Sequence, residues 1–151
     1  MKDYQITENF SFYELTNTSH MALLEKNREY GAGLKDNLNL LGLLLQDIRD
    51  IIDKPITVSS GVRCPELNKK VGGTADSRHQ KGLAADIQVK GMSAMEVFDA
   101  IRKAKPPLLQ KAIIEGVKGK EWVHVQCRMA TDNAPTQYFA TKDGKNYSRV
   151  G

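Results

Sequence analysis

The segment from Leu34 to Ile52 constrains the fold of this chain more than any other. Apolar residues recur there at Leu34, Leu38, Leu41, Leu45, Ile48 and Ile52, a 4-3-4-3-4 spacing that lays one stripe along an α-helix. Leu40, Leu43, Leu44 and Ile51 widen the stripe until most of the helix has to be buried. The core must therefore be built around this helix, and a leucine stripe of this kind is packing material, not a cofactor site. Asp53, Lys54 and Pro55 end it, because the residue before a proline is driven out of the α region.

The remaining elements follow in order. Asn9 to Leu15 puts Phe10, Phe12 and Leu15 into a short anchoring segment, after which Thr18 or Ser19 caps a helix beginning near Met21, with His20 solvated or capping at its start. Ile56 to Ser60 reads as a strand, left through Gly61 to Arg63. Pro65 opens a short helix, ELNKKV, which Gly72-Gly73 closes. Ala85 to Val89 is a second strand, and Ser93 to Ala104 a helix with Met95, Val97, Phe98 and Ile101 on its buried side, broken by Pro106-Pro107. Ala112 to Glu115, the turn VKGK and Glu121 to Cys127 form a β-hairpin, and QYFATKDGKNYSRV a weaker one around Asp143-Gly144. Helices first and antiparallel strands interleaved later make the class α+β, a small antiparallel sheet packed with helices. With 151 residues and neither repeats nor low-complexity linkers, the expectation is one domain over residues 1–151. Within it, 1–33 form an N-terminal arm and helix and 128–151 a C-terminal hairpin or tail.

A net charge of +4 suits an anionic partner. No Lys/Arg run interleaves with aromatics, so the expected partner is not nucleic acid, and an anionic cell-wall polymer satisfies the charge equally. No stretch reaches membrane-spanning length, and MKDYQITENFSFYEL lacks a basic segment followed by an apolar one. The expectation is a chain made in the cytoplasm without a signal peptide, with no membrane partner, acting as a monomer. Cys64 and Cys127 lack CxxC spacing and read as free thiols that neither ligate a metal nor form a disulfide.

Chemistry-bearing residues concentrate between Ser59 and Asp86. His79 and Asp86 flank Gly82, and imidazole nitrogen and carboxylate oxygen both suit zinc. Two such residues alone also fit a surface loop with a solvated His and an Asp capping a strand. A third candidate, His124 in EWVHV, completes a set of two imidazoles and one carboxylate that leaves a position open for water. Arg63 stands at a strand end, where side chains turn into a cleft.

Three motifs in this order, SGVR, SRHQKGLAAD and EWVHV, resemble the zinc peptidases of the D-alanyl-D-alanine carboxypeptidase family, which share a fold with the Hedgehog signalling domain. The family pattern SxHxxGxAxD with a later His on a strand is met by Ser77, His79, Gly82, Ala84, Asp86 and His124. The resemblance covers roughly Asn9 to Cys127, and SGxRxPxxN with WVHV is most similar to a short phage and prophage branch, the endolysin-like members. It implies that His79, Asp86 and His124 ligate Zn2+, that Arg63 stabilises the oxyanion or holds the carbonyl, that Ser77 bonds the substrate or the ligand loop, and that Trp122 walls the cleft. The implied reaction is metal-assisted hydrolysis of an amide in the peptidoglycan stem peptide, as a DD-carboxypeptidase or an endopeptidase, with a carboxylate taking a proton from the attacking water. The implied place of action is the cell wall, after release or as a virion component.

Two residues compete for the general base. Glu121 lies three residues before His124, the family's common spacing, but residues three apart on a regular strand face opposite ways. Glu115 shares a face with His124 if the turn pairs Gly116 with Glu121, which favours Glu115. Where the branch often has Asp or Ser after HV, this chain has Gln126. The alternative function is a non-catalytic zinc-containing module that binds wall or protein partners.

Overall fold

The leucine stripe forms helix α3, Lys35–Ile52, and the computed structural model of the chain describes residues 1–141 and 146–150 around it. Leu38, Leu41, Leu44, Leu45 and Ile48 are fully buried. The buried face is narrower than the sequence suggests: Leu43 is 51% exposed and Ile51 40%, and Leu34, Leu40 and Ile52 only border the core. One side of α3 meets the sheet and a second meets an N-terminal ribbon, where a Cβ on Gly42 would fall 2.5 Å from Ile6 Cγ2. Two further helices, Leu24–Ala32 and Ala94–Ala104, also pack on it, and what remains of its circumference is left to water. Leu41→Ala should therefore cost about 2–5 kcal/mol and Leu43→Ala no more than about 0.5 kcal/mol, read as shifts in denaturant midpoint. Equal losses at both positions would contradict this packing.

The ribbon pairs β1, Gln5–Thr7, with β2, Phe10–Ser11, and Ser11 opens helix α1, Phe12–Leu15, through a capping box with Glu14. Phe10, Phe12 and Leu15 are buried, so the segment anchors as expected. The next helix begins differently. Thr18 Oγ1 accepts from His20 N, a 3-10 turn over Met21–Leu23 follows without a side-chain cap, and α2 runs Leu24–Ala32.

A six-stranded sheet has the order β3-β4-β6-β5-β7-β8, from β3, Ile56–Ser60, β4, Ala84–Val89, β5, Leu109–Val117, β6, Lys120–Cys127, β7, Gln137–Ala140, and β8, Ser148–Arg149. Between β3 and β4 lie α4, Pro65–Lys70, and a 3-10 turn, Arg78–Lys81, and between β4 and β5 lies α5, Ala94–Ala104. Ser93 and Glu96 form a capping box for α5. Val97, Phe98 and Ile101 are buried, but Met95 is 53% exposed. It precedes Val97 by two residues, about 200° around the helix, and so faces away from the core.

β5 and β6 join through Lys118 and Gly119, at φ 51° and 82°, the positive pair that a two-residue hairpin turn demands. The register sets Gly116 opposite Glu121, Glu115 opposite Trp122 and Ile113 opposite His124. All neighbouring strands are antiparallel except β5 and β7, which run parallel. The expected all-antiparallel sheet fails here because the chain leaves β6 and enters β7 at the same end of the sheet, passing the start of β5. Arg128 ties that passage down: Nη2 donates to Leu109 O at 3.1 Å and Thr136 Oγ1 at 2.9 Å, and Nη1 to Asp132 O at 3.2 Å. Phe139 pairs with Arg149 and Ala140 with Ser148, the flanks of the expected tail hairpin; its Asp143-Gly144 turn lies outside the described residues.

Strand alternation gives the sheet two different faces. Ala85, Ile87 and Val89 of β4, Val123 and Val125 of β6 and Ala112 and Ile114 of β5 join the core with α3 and α5. The residues between them, Asp86, His124, Glu115 and Trp122, emerge on the opposite face. The fold is α+β. Among the described residues no helix is long and apolar enough to cross a membrane.

Candidate metal centre and its cleft

Three sequence-distant segments meet on that second face. Ser77 Oγ accepts from His79 N at 3.2 Å and so caps the 3-10 turn that carries His79. The turn ends at Gly82, whose φ of 68° is left-handed, which explains a glycine three residues after the histidine. Asp86 and His124 are directly opposed on the antiparallel pair β4 and β6, where facing side chains approach closely. His79, Asp86 and His124 are all buried, and one donor atom from each lies within 4.8 Å of the others.

The donors' neighbours decide which atoms are free. His79 Nδ1 stands 2.7 Å from Gly61 O; a carbonyl only accepts, so Nδ1 carries the hydrogen and Nε2 offers its lone pair, 3.3 Å from Asp86 Oδ1. Gly61 is pressed so close to Leu15 that a Cβ would lie 2.4 Å from its carbonyl oxygen. His124 is held the other way round, with Nε2 2.9 Å from Gln126 Oε1 and Nδ1 2.9 Å from Asp86 Oδ1. Gln126 Nε2 in turn donates to Gln110 Oε1 at 2.8 Å. Gln126, which the sequence left without a task, thus aims Nδ1 of His124 at the centre.

Electrostatics follow from this crowding. Burial pushes the Asp86 carboxyl up, but His79 and His124 outweigh it and hold the group well below the usual carboxylate range. Burial dominates at His79 and lowers its imidazole despite Asp86, with Arg63 adding to the effect. His124 is also opposed by burial, yet its shorter bond to Asp86 and the nearby Glu115 raise it. Two imidazoles and one ionised carboxylate, buried together with open lone pairs, fit zinc with a position left for water.

The cleft around the cluster has a volume of about 490 Å³ and is lined by Arg63, Ser77, Glu115, Trp122 and Gln126 among others. Arg63 donates from Nη2 to Asp86 Oδ2 at 3.3 Å and from Nε to Ser60 Oγ at 3.0 Å. Its loop is clamped by buried Asn27 of α2, which donates to Val62 O at 2.9 Å and accepts from Cys64 N at 2.8 Å. Asn27 was missed from sequence; its one signal is a polar residue on the inner side of a helix. Trp122 Nε1 donates to Glu115 Oε1 at 2.9 Å, and the same oxygen lies 3.9 Å from His124 Nδ1. Glu121 alternates with Trp122 onto the other face, where it is exposed beside a groove with Met92 and Val97. Cys64 and Cys127 are free and buried, outside the cluster, and burial pushes the Cys127 thiol up to about 12.

A stretch of 35 residues, 23% of this chain, is 54% identical to the zinc D-Ala-D-Ala carboxypeptidase of Streptomyces albus G, of which it spans 14%. Residues 13–126 match the family model described as Peptidase M15. That match runs from within α1 to Gln126 and takes in all three segments that converge on the centre, so the chain belongs to the Peptidase M15 family.

Proposed function

We propose that the protein is a zinc-dependent peptidoglycan peptidase that hydrolyses an amide bond of the stem peptide, of D-Ala-D-Ala carboxypeptidase or endopeptidase type. The observation that carries the reading is the buried convergence of His79, Asp86 and His124 at the floor of a cleft that also holds Glu115 and Arg63. Zinc held by His79 Nε2, Asp86 and His124 Nδ1 would supply a Lewis acid that lowers the pKa of water to about 7 and polarises the scissile carbonyl. Glu115 takes the proton of the attacking water and returns it to the leaving amine. Trp122 orients Glu115 for this by donating to Oε1. Arg63, fixed by Ser60 and Asp86, offers its remaining N–H groups to the carbonyl oxygen as charge develops there. Ser77 holds the His79 turn, and Trp122 also walls the cleft.

Similarity to a carboxypeptidase that acts on D-Ala-D-Ala and a net charge of +4 both favour the anionic cell wall as the place of action. SGVRCPELN and WVHV support the short phage-type branch, and with it release to the wall at lysis or carriage on a virion. Digestion of purified walls with mass analysis of the fragments tests the reading; zinc-loaded protein that releases no alanine or peptide from any wall chemotype refutes it.

Gln126 gives a separate test of the centre. Gln126→Ala removes the acceptor for His124 Nε2–H and should weaken zinc binding about 10–100-fold, measured by competition with a chelating dye. Gln126→Glu, which keeps an acceptor, should bind nearly as tightly as the wild type. Undiminished affinity in the alanine variant would show that Gln126 does not orient His124.

A further inference from the structure

Arg63 is placed twice over, once through its backbone and once through its side chain. Its backbone N donates to His79 O at 3.0 Å, and Asn27 holds Val62 O and Cys64 N on either side of it, so the course of the loop does not depend on the guanidinium. The guanidinium is held at three points of its own: Ser60 Oγ takes Nε, Asp86 Oδ2 takes Nη2, and Asn68 Oδ1 faces Nη1 at 3.4 Å. Of these partners, Asn68 is the one to which the proposed chemistry gives no task.

The short helix α4 puts it there. Pro65 opens the helix, and its first turn carries Asn68 back over the loop just left, with Asn68 N donating to Cys64 O at 2.9 Å. Asn68 is only 3% exposed. Its Nδ2 donates to Thr74 O at 2.8 Å; a carbonyl can only accept, so Oδ1 is the end turned to the guanidinium. The Asn68 backbone takes part as well, its O accepting from Gly73 N at 2.9 Å. Gly73 packs so closely into this angle that a Cβ there would fall 2.1 Å from Asn68 Oδ1 and 3.0 Å from Arg63 Nη1. One asparagine thus fastens Gly73 and Thr74, which line the cleft, to the guanidinium beside the metal centre. An amide also suits the task electrostatically. Asp86 is engaged by both histidines, whereas the neutral oxygens of Ser60 and Asn68 fix the guanidinium and leave its charge for an oxyanion.

We propose that Asn68 is a positioning residue that sets the Arg63 guanidinium toward the scissile carbonyl and ties the cleft rim at Gly73 and Thr74 to it. The proposal rests on the peptidase reading and adds one residue to its machinery. Asn68 is not among the described residues that line the cleft, so its effect on the reaction passes through Arg63.

The test is a double-mutant cycle on zinc-loaded protein. Asn68→Leu keeps the volume and removes the amide; kcat for stem-peptide cleavage should fall about 10–100-fold, with zinc content unchanged and KM little altered. Gly73→Ala leaves Asn68 in place but drives a methyl group against Oδ1, so it should lower kcat in the same way and carries the test if the leucine variant does not fold. Both losses should largely vanish in an Arg63→Ala background, because residues that act through one another are not additive. An asparagine with a merely structural role would cost the same factor with or without Arg63, so losses that persist undiminished in Arg63→Ala overturn the proposal. Nitrogen NMR of arginine-labelled protein supplies a readout besides hydrolysis: Asn68→Leu should speed rotation of the Arg63 guanidinium and merge its Nη signals, and unchanged signals likewise overturn the proposal. Merged signals in a protein whose wild type cleaves no wall peptide leave the clamp standing and remove the peptidase reading; cleavage by the wild type with an unaltered guanidinium in Asn68→Leu does the reverse.

Discussion

Glu115→Gln is expected to lower turnover by about 10²–10⁴-fold while zinc stays bound. The side chain sits at the mouth of the centre without belonging to it: Oε1 is 3.9 Å from His124 Nδ1, beyond the donor cluster formed by His79, Asp86 and His124. The Trp122 indole donates to that oxygen at 2.9 Å, which holds the carboxylate over the cleft. Glutamine keeps the shape and loses the basicity, so the loss should fall on kcat. Glu121→Gln should be mild, because the hairpin register that sets Gly116 opposite Glu121 turns Glu121 to the opposite face of the sheet. Wall-fragment release by both variants, each checked for zinc content and thermal stability, measures this. A dead Glu121→Gln with zinc intact would mean that the spacing of acid and histidine, not the register, identifies the base.

Asp86→Asn should be more damaging still, reducing zinc content to near zero and hydrolysis to background. Asp86 faces both histidines and Arg63 at once, so the change removes a metal donor and leaves a guanidinium with a side-chain exposure of 15% without its counterion. Breaking such a buried pair costs about 3–5 kcal/mol, and the metal-free variant should melt below the metal-free wild type. The pH dependence has a defined sign. Because the native Asp86 carboxyl is held below its ordinary value, its contribution to metal-free stability is complete above a pH of about 4 and is lost as pH falls through the depressed value. His124 has a raised imidazole, so protons compete with zinc for Nδ1 from above the ordinary value of about 6.5 downward. Zinc affinity should decline toward acid over that range, and a chelator should abolish activity reversibly. Full zinc occupancy in Asp86→Asn, measured by elemental analysis, would remove Asp86 from the ligand set.

The sequence by itself determined the elements whose causes are local. The leucine period made α3, Ser93 with Glu96 capped α5, and Lys118-Gly119 closed a hairpin whose alternation put Glu115 on the His124 side. His79, Asp86 and His124 were legible as candidates because their residue types and the glycine between the first two carry the chemistry in one dimension. Other features depended on partners distant in the chain. How much of α3 is buried was set by what covers it, so Leu43 and Ile51 emerged into water. The parallel pairing of β5 and β7 followed from which end of the sheet the chain had reached after β6, a matter of three-dimensional position held by Arg128. The hydrogen bonds of Gln126, Trp122 and Asn27 were likewise invisible, because a bond to His124, Glu115 or the Arg63 loop exists only once those strands and helices are packed. Periodicity and turn chemistry act between near neighbours and can be read from the chain, whereas orientation of a catalytic group depends on atoms that tertiary packing alone brings within about 3 Å.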